Sequence, residues 1–143
     1  MRVYLDNCCY NRPFDDQSQL RVFLETEAKL FVQSKILGGQ FELAWSYVLD
    51  YEMAANPFGE RAGRFGVWRD VAVVFCGESP EVLAYAEDLT HAGFKTTDAL
   101  HIACAVAMQC DYLLTTDKRM LSKKTDGVLL VNPIEFLQRE VFI

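Results

Sequence analysis

The 143-residue chain lacks any apolar run of bilayer-crossing length, and its start has no basic stretch followed by an apolar segment of the secretory kind. Both absences make the cytoplasm, away from membranes, the expected compartment. Its five cysteines are odd in number and carry no zinc spacing: Cys8 and Cys9 are adjacent, while Cys76, Cys104 and Cys110 stand singly in apolar surroundings. Such usage suits a reducing environment. Positive charge is scarce too, with 14 Lys and Arg against 20 Asp and Glu, a formal net charge of -6 and a pI near 4.9. That balance argues against a broad basic surface that coats nucleic acid regardless of sequence, so any nucleic-acid contact has to be local. Internal repeats, low-complexity tracts and interdomain linkers are missing. With 51% hydrophobic residues, the chain suffices for one sizeable core, and a single domain over residues 1–143 is expected.

Short apolar runs alternate with helical patterns along almost the whole length. Arg2 to Leu5, Phe41 to Trp45, Val71 to Cys76, Tyr112 to Leu114 and Val128 to Val131 read as strands. Between them the pattern predicts helices starting at Ser18 and ending at Gly38-Gly39, then from the cap Ser46 to Ala55, from Phe58 to Arg69, and from Pro80 to His91. Gly63 and Gly66 weaken the third of these. A further helix follows Lys95 with Thr96 or Thr97 as its cap, Lys118 to Lys124 supply a basic turn, and Pro133 to Arg139 close the chain. In the Ser18 helix, Leu20, Phe23, Leu24, Ala28, Phe31 and Val32 are expected to face inward, with Glu25, Glu27, Lys29 and Lys35 mostly outward. The segment from Asn7 to Asp16 is rich in turn-formers and reads as a loop. Strands alternating with helices imply an α/β fold whose parallel sheet is covered on both faces.

Carboxylates mark the ends of these elements. Asp6 ends the first strand, Asp117 follows the fourth, and Asp98 lies in the first turn of the helix between them. In open α/β sheets the edge at the carboxyl ends of the strands is where ligands bind. On the helix after Ser46, Val48, Glu52 and Ala55 share a face at three- and four-residue spacing, so Glu52 turns inward in preference to Asp50, unless the helix is rotated. His101, three residues after Asp98, lies one turn along on roughly the same side.

Tyr4-Leu5-Asp6-Asn7, Val48-Leu49-Asp50-Tyr51-Glu52, Thr97-Asp98-Ala99-Leu100-His101-Ile102-Ala103 and Leu114-Thr115-Thr116-Asp117 resemble, in order, the four acidic motifs of PIN-domain nucleases, the family of VapC-like toxin ribonucleases and their relatives. The resemblance spans nearly the whole chain. It implies a three-layer α/β/α sandwich with a central, mainly parallel sheet, and a metal-dependent endoribonuclease, often the toxin of a type II toxin-antitoxin pair. Carried over position by position, Asp6, Glu52, Asp98 and Asp117 would be the catalytic, metal-binding acids, supported by Thr115 or Thr116. It further implies a homodimer, a small antitoxin partner and RNA, single-stranded or structured, as substrate.

Such acids suit Mg²⁺ or Mn²⁺, hard cations that prefer oxygen ligands and retain exchangeable waters. Without a cation, convergent carboxylates repel one another and raise at least one pKa. Arg12, Lys118 and Arg119 near the strand ends are candidate RNA contacts, with Arg61 and Arg64 behind them. Tyr10 and Phe14 suit either base stacking or packing. Two other classes compete: a non-catalytic PIN-like domain binding RNA or protein, and a hydrolase with an aspartyl nucleophile. The latter usually carries Asp-x-Asp after its first strand, whereas Asp6 is followed by Asn7-Cys8.

Overall fold

A computed structural model describes residues 1–142, apart from the side chain at position 62. Five short strands, β1 (Arg2–Leu5), β2 (Glu42–Ser46), β3 (Val74–Cys76), β4 (Tyr112–Leu114) and β5 (Leu129–Val131), form one parallel sheet in the order β3-β2-β1-β4-β5. The helices are α1 (Asn7–Asn11), α2 (Leu20–Leu37), α3 (Tyr47–Ala54), α4 (Gly59–Val71), α5 (Pro80–His91), α6 (Thr96–Ala107), α7 (Lys118–Leu121) and α8 (Pro133–Glu140). They make a three-layer α/β/α arrangement, as the alternation of patterns predicts. Strand order reverses beside β1, between β1 and β4, where open sheets of this kind bind ligands. The Asp6 N–H donates to the Leu114 carbonyl at 2.9 Å and continues the ladder past the last paired residues.

Period-two alternation decides what each face of β1 meets. Val3 pairs in register with Tyr112, whose ring packs edge-on against Phe136 of α8. Tyr4 points the other way, toward His101 of α6. Central β1 is wholly apolar at Val3 and Leu5, and Val3, Tyr4 and Leu5 are fully buried, as expected for a strand covered on both faces.

Several local expectations fail. Residues after Asp6 form not a loop but α1, followed by a 3-10 turn over Arg12–Phe14. The cause is Asp6, whose Oδ1 accepts the Asn7 N–H at 2.7 Å as the cap, together with complete burial of Cys9 and Tyr10. Thus Tyr10 packs against Trp45 and Phe65 and offers nothing to a base. The long helix begins at Leu20, since Ser18 is held by the Asp16 carboxylate through both its N–H and its hydroxyl. Helix α6 starts after Lys95 with no side-chain cap, so neither Thr96 nor Thr97 serves as one. Val71 belongs to α4, which runs unbroken through both glycines, and β3 is confined to Val74–Cys76.

The largest correction concerns the phase of α2. Val22, Glu25, Thr26, Ala28, Lys29, Val32, Gln33 and Ile36 are buried, while Leu20, Phe23 and Leu24 lie exposed. Polar residues win the inner face because partners await them. Glu25, 1% exposed, takes ion pairs from Arg12 and Arg21, both at 3.3 Å, and the Asn132 amide donates to it at 2.5 Å. Lys29 lies over the Tyr10 ring, and burial pulls its pKa down to about 8. Glu25→Gln is therefore expected to cost about 3 kcal/mol, the lower end for breaking a buried ion pair, because Arg12 keeps Asp15 at 2.9 Å. Urea unfolding would measure it, and a loss under about 1 kcal/mol would show that solvent compensates the arginines. No helix among the described residues is long and apolar enough to cross a membrane.

Candidate metal centre

The carboxyl ends of β1, β2 and β4 meet the first turns of α3 and α6, and each contributes a polar side chain. Asp6 leaves β1 nearly buried, at 6% exposure. Its Oδ1 is the α1 cap, and its Oδ2 accepts the Thr115 hydroxyl at 2.8 Å, with the Cys8 thiol at 3.4 Å. Thr115 Oγ1 in turn accepts the Asp117 N–H at 3.1 Å, which ties the ends of β1 and β4 together. Thr116 takes part through its backbone N–H, which donates to the Cys8 sulfur at 3.3 Å. Asp117 caps α7, accepting the Arg119 N–H at 2.8 Å.

From α3, Glu52 reaches back to the Nε2 of His101. Asp50, two residues earlier, turns elsewhere: its Oδ1 accepts the Trp45 indole N–H at 2.8 Å and pairs with Arg69 at 3.0 Å. His101 is 1% exposed, with Nε2 also 3.5 Å from Asp6 Oδ1. Its Nδ1 lies 2.5 Å from the Tyr4 hydroxyl, which stands 2.6 Å from Ser46 Oγ. One ligand atom each from Asp6, Glu52 and His101 falls within 4.8 Å of the others. Asp98 and Asp117 stand outside that compass but within electrostatic range. Burial first, then the Asp6 and Asp117 carboxylates, raise the Asp98 pKa above the ordinary carboxylate range. Burial alone would lower His101, yet Asp6 and then Glu52 lift it above the usual imidazole value.

Spacing from Asp98 places His101 on this side of α6, but its aim depends on Tyr4, 97 residues away. Cys8, Tyr4 and Ser46 carry no such signal. Cys8 reads as one of two adjacent thiols, and the Tyr4 hydroxyl is hidden in an apolar strand run. Among the candidate RNA contacts, Arg12 is taken up by Glu25 and Asp15, whereas Lys118 and Arg119 are exposed and make no ion pair among the described residues.

No protein-family model and no curated protein matches this chain. Among solved structures, a chain in the crystal structure of VapBC2 from Rickettsia felis bound to a DNA fragment from their promoter superposes with a TM-score of 0.58 at 14% identity. The match covers 92% of this chain and 98% of that one. The fold is PIN-like. At that identity the likeness speaks for the backbone path and not for any side chain. In this PIN-like frame the switch point of the sheet carries Asp6 and Thr115, and the two flanking helices bring Glu52 and Asp98 toward it.

Proposed function

We propose that this protein is a metal-dependent endoribonuclease that hydrolyses RNA phosphodiester bonds at the edge that carries Asp6, Glu52, Asp98 and Asp117. The observation that carries the reading is geometric: at the switch point of the sheet, one ligand atom each from Asp6, Glu52 and His101 lies within 4.8 Å of the others. Burial first, then the charges of Asp6 and Asp117, raise the Asp98 pKa, and a divalent cation would relieve the repulsion among these carboxylates. The donor set fits Mg²⁺ or Mn²⁺, since Asp6 and Glu52 offer carboxylate oxygens within one ligand sphere. An ion bound there supplies a water of lowered pKa and charge neutralisation at the scissile phosphate. The protein's own part is to hold the donors still. Thr115 fixes one oxygen of Asp6, the α1 N-terminus fixes the other, and the Thr115 hydroxyl also secures the turn leading to Asp117.

Beside Glu52 the surface turns aromatic and basic. A cavity of about 360 Å³, lined by Asn7, Asn11, Tyr51, Glu52, Phe58 and Arg61 among others, leads away from the acids. The Arg61 guanidinium stacks 4.0 Å from the Phe58 ring centroid and 4.4 Å from that of Phe14, and Tyr51 is 76% exposed. An exposed tyrosine beside an arginine that makes no ion pair among the described residues suits the bases and phosphates of a single strand. Such a local patch reconciles an acidic protein with a polyanionic substrate. The superposed chain comes from a complex with its partner protein and promoter DNA, which supports a toxin paired with a small antitoxin as the setting.

Protein stripped with a chelator is expected to leave single-stranded RNA intact and to regain cleavage with Mg²⁺ or Mn²⁺. Its melting temperature should climb with ion concentration through ordinary linkage. Cleavage that survives exhaustive chelation would falsify the mechanism. A flat melting curve at millimolar metal would instead remove the metal centre itself.

A further inference from the structure

His101 is buried within the ligand cluster, and the four-acid scheme leaves it without a task. Resting on the reading that Asp6 and Glu52 hold a divalent ion, we propose that the Nε2 of His101 is a third ligand of that ion. The centre is then a mixed nitrogen and oxygen site that prefers Mn²⁺ and related transition ions to Mg²⁺.

Geometry comes first. Nε2 belongs to the same 4.8 Å cluster as the two carboxylates, against Glu52 and 3.5 Å from Asp6 Oδ1. The ring cannot turn away, because it is 1% exposed and packs edge-on against Tyr4 with centroids 5.6 Å apart. A ring nitrogen facing two carboxylates has two uses: it donates a proton to one of them, or it shares a cation with both.

The other ring nitrogen permits either use. Tyr4 is fully buried between His101 and Ser46, and its hydroxyl has one proton to give and lone pairs to accept with. In one arrangement Ser46 donates to Tyr4, Tyr4 donates to Nδ1, and the Nε2 proton goes to Glu52. In the other the two hydroxyl bonds reverse, Tyr4 donating to Ser46 and Nδ1–H to Tyr4, while the bond from Nε2 to Glu52 is given up and a cation takes the place of its proton. On the Tyr4 side no heavy atom has to move, since the same 2.5 and 2.6 Å contacts serve both, and an ion is admitted when the Glu52 carboxylate draws back from Nε2. The second arrangement has the form that metal-binding histidines ordinarily take, with the far N–H given to a fixed oxygen that sets the tautomer. Ser46 is itself anchored as the cap of α3, the helix that carries Glu52, and so the hydroxyl pair is registered to the carboxylate it serves.

Selectivity follows from ligand type. Mg²⁺ dehydrates reluctantly and favours oxygen, whereas imidazole strengthens binding of transition ions.

Pulsed EPR on the metal-stripped chain reloaded with Mn²⁺ tests this without recourse to activity. The electron spin echo should be modulated by a directly bound ¹⁴N, and the pattern should change to that of ¹⁵N when the protein is made with ¹⁵N-histidine. Only two histidines exist, and His91 lies exposed on α5. His91→Gln should keep the modulation and His101→Gln should lose it. In calorimetric titrations His101→Gln should weaken Mn²⁺ by about tenfold or more, the scale reached even by outer partners of a ligand, and Mg²⁺ by less than about threefold. If His101→Gln does not fold, the labelled wild-type spectrum decides alone. Mn²⁺ that binds without nitrogen modulation overturns this inference and leaves an oxygen-only centre standing. No Mn²⁺ binding at millimolar concentration removes the centre on which it rests.

Discussion

Replacing Asp98 by asparagine should abolish RNA cleavage, by more than about a hundredfold, while leaving the metal-free protein as stable as before or slightly more so. Even outer partners of metal ligands are worth about 10- to 100-fold, and Asp98 belongs to the acidic edge itself. The stability half depends on two opposed terms. A carboxylate in the first turn of α6 gains about 0.3 to 1 kcal/mol from the helix dipole. Burial and the charges of Asp6 and Asp117 oppose it, and they prevail, because the Asp98 pKa moves up. A raised folded-state pKa means that the native state holds the proton more tightly than the unfolded chain. The contribution of Asp98 to stability is thus fully present below the unfolded value and is lost as pH rises through the folded one. Asparagine does not titrate. The variant's advantage should open over that acidic window and stay constant above it, which melts at a series of pH values with chelator would record. A marked loss of apo stability at neutral pH would show instead that Asp98 mainly supports α6, which has no side-chain cap of its own.

Glu52→Gln should reduce metal-supported cleavage by more than about a hundredfold, and Asp50→Asn by no more than about threefold. The two carboxylates sit on one helix but in different surroundings. Glu52 joins the ligand cluster, while Asp50 is spent on Trp45 and Arg69. An asparagine oxygen at position 50 still accepts the indole N–H. What it forfeits is a solvent-facing ion pair, worth about 0 to 1 kcal/mol. Asp50→Asn should therefore show a small fall in melting temperature with cleavage nearly intact, and Glu52→Gln the reverse. Paired kinetics and melts on both variants check this. A collapse of activity in Asp50→Asn would mean that α3 must turn for catalysis.

The sheet is legible in the sequence because the strands are short apolar runs, four of the five closed by a polar residue and all separated by longer stretches of helical pattern. Helix α2 is not, for a physical reason. Leu20, Phe23 and Leu24 outrank Glu25, Lys29 and Gln33 on any hydrophobic count. Only the arrival of Arg12, Arg21 and Asn132 makes burying Glu25 tolerable, and Arg12 and Asn132 come from outside the helix. The Asn7–Asn11 turn of helix fails similarly, since its composition favours a loop until Asp6 caps it and Tyr10 finds Trp45. At the acidic edge, element ends and helical phase locate Asp6, Glu52, Asp98 and Asp117 without aiming them. The aim of His101, and the lesser closeness of Asp98 and Asp117, depend on packing across the sheet.

The bond from Thr115 to Asp6 spans 109 residues, and this bears on how the protein comes into being. At a synthesis rate of about 5 to 20 residues per second, Asp6 waits about 5 to 20 s for that partner. Until then β1, the centre of the finished sheet, has one edge bare. Helices and the β1–β2 side can form early, yet the acidic edge stays open until β4 and Thr115 have been made. A chain that stops just short of Thr115 thus keeps the α1 cap on Asp6 Oδ1 but lacks both Asp117 and the hydroxyl that holds Oδ2, so the edge gains its fourth acid and its clasp in one stretch of synthesis.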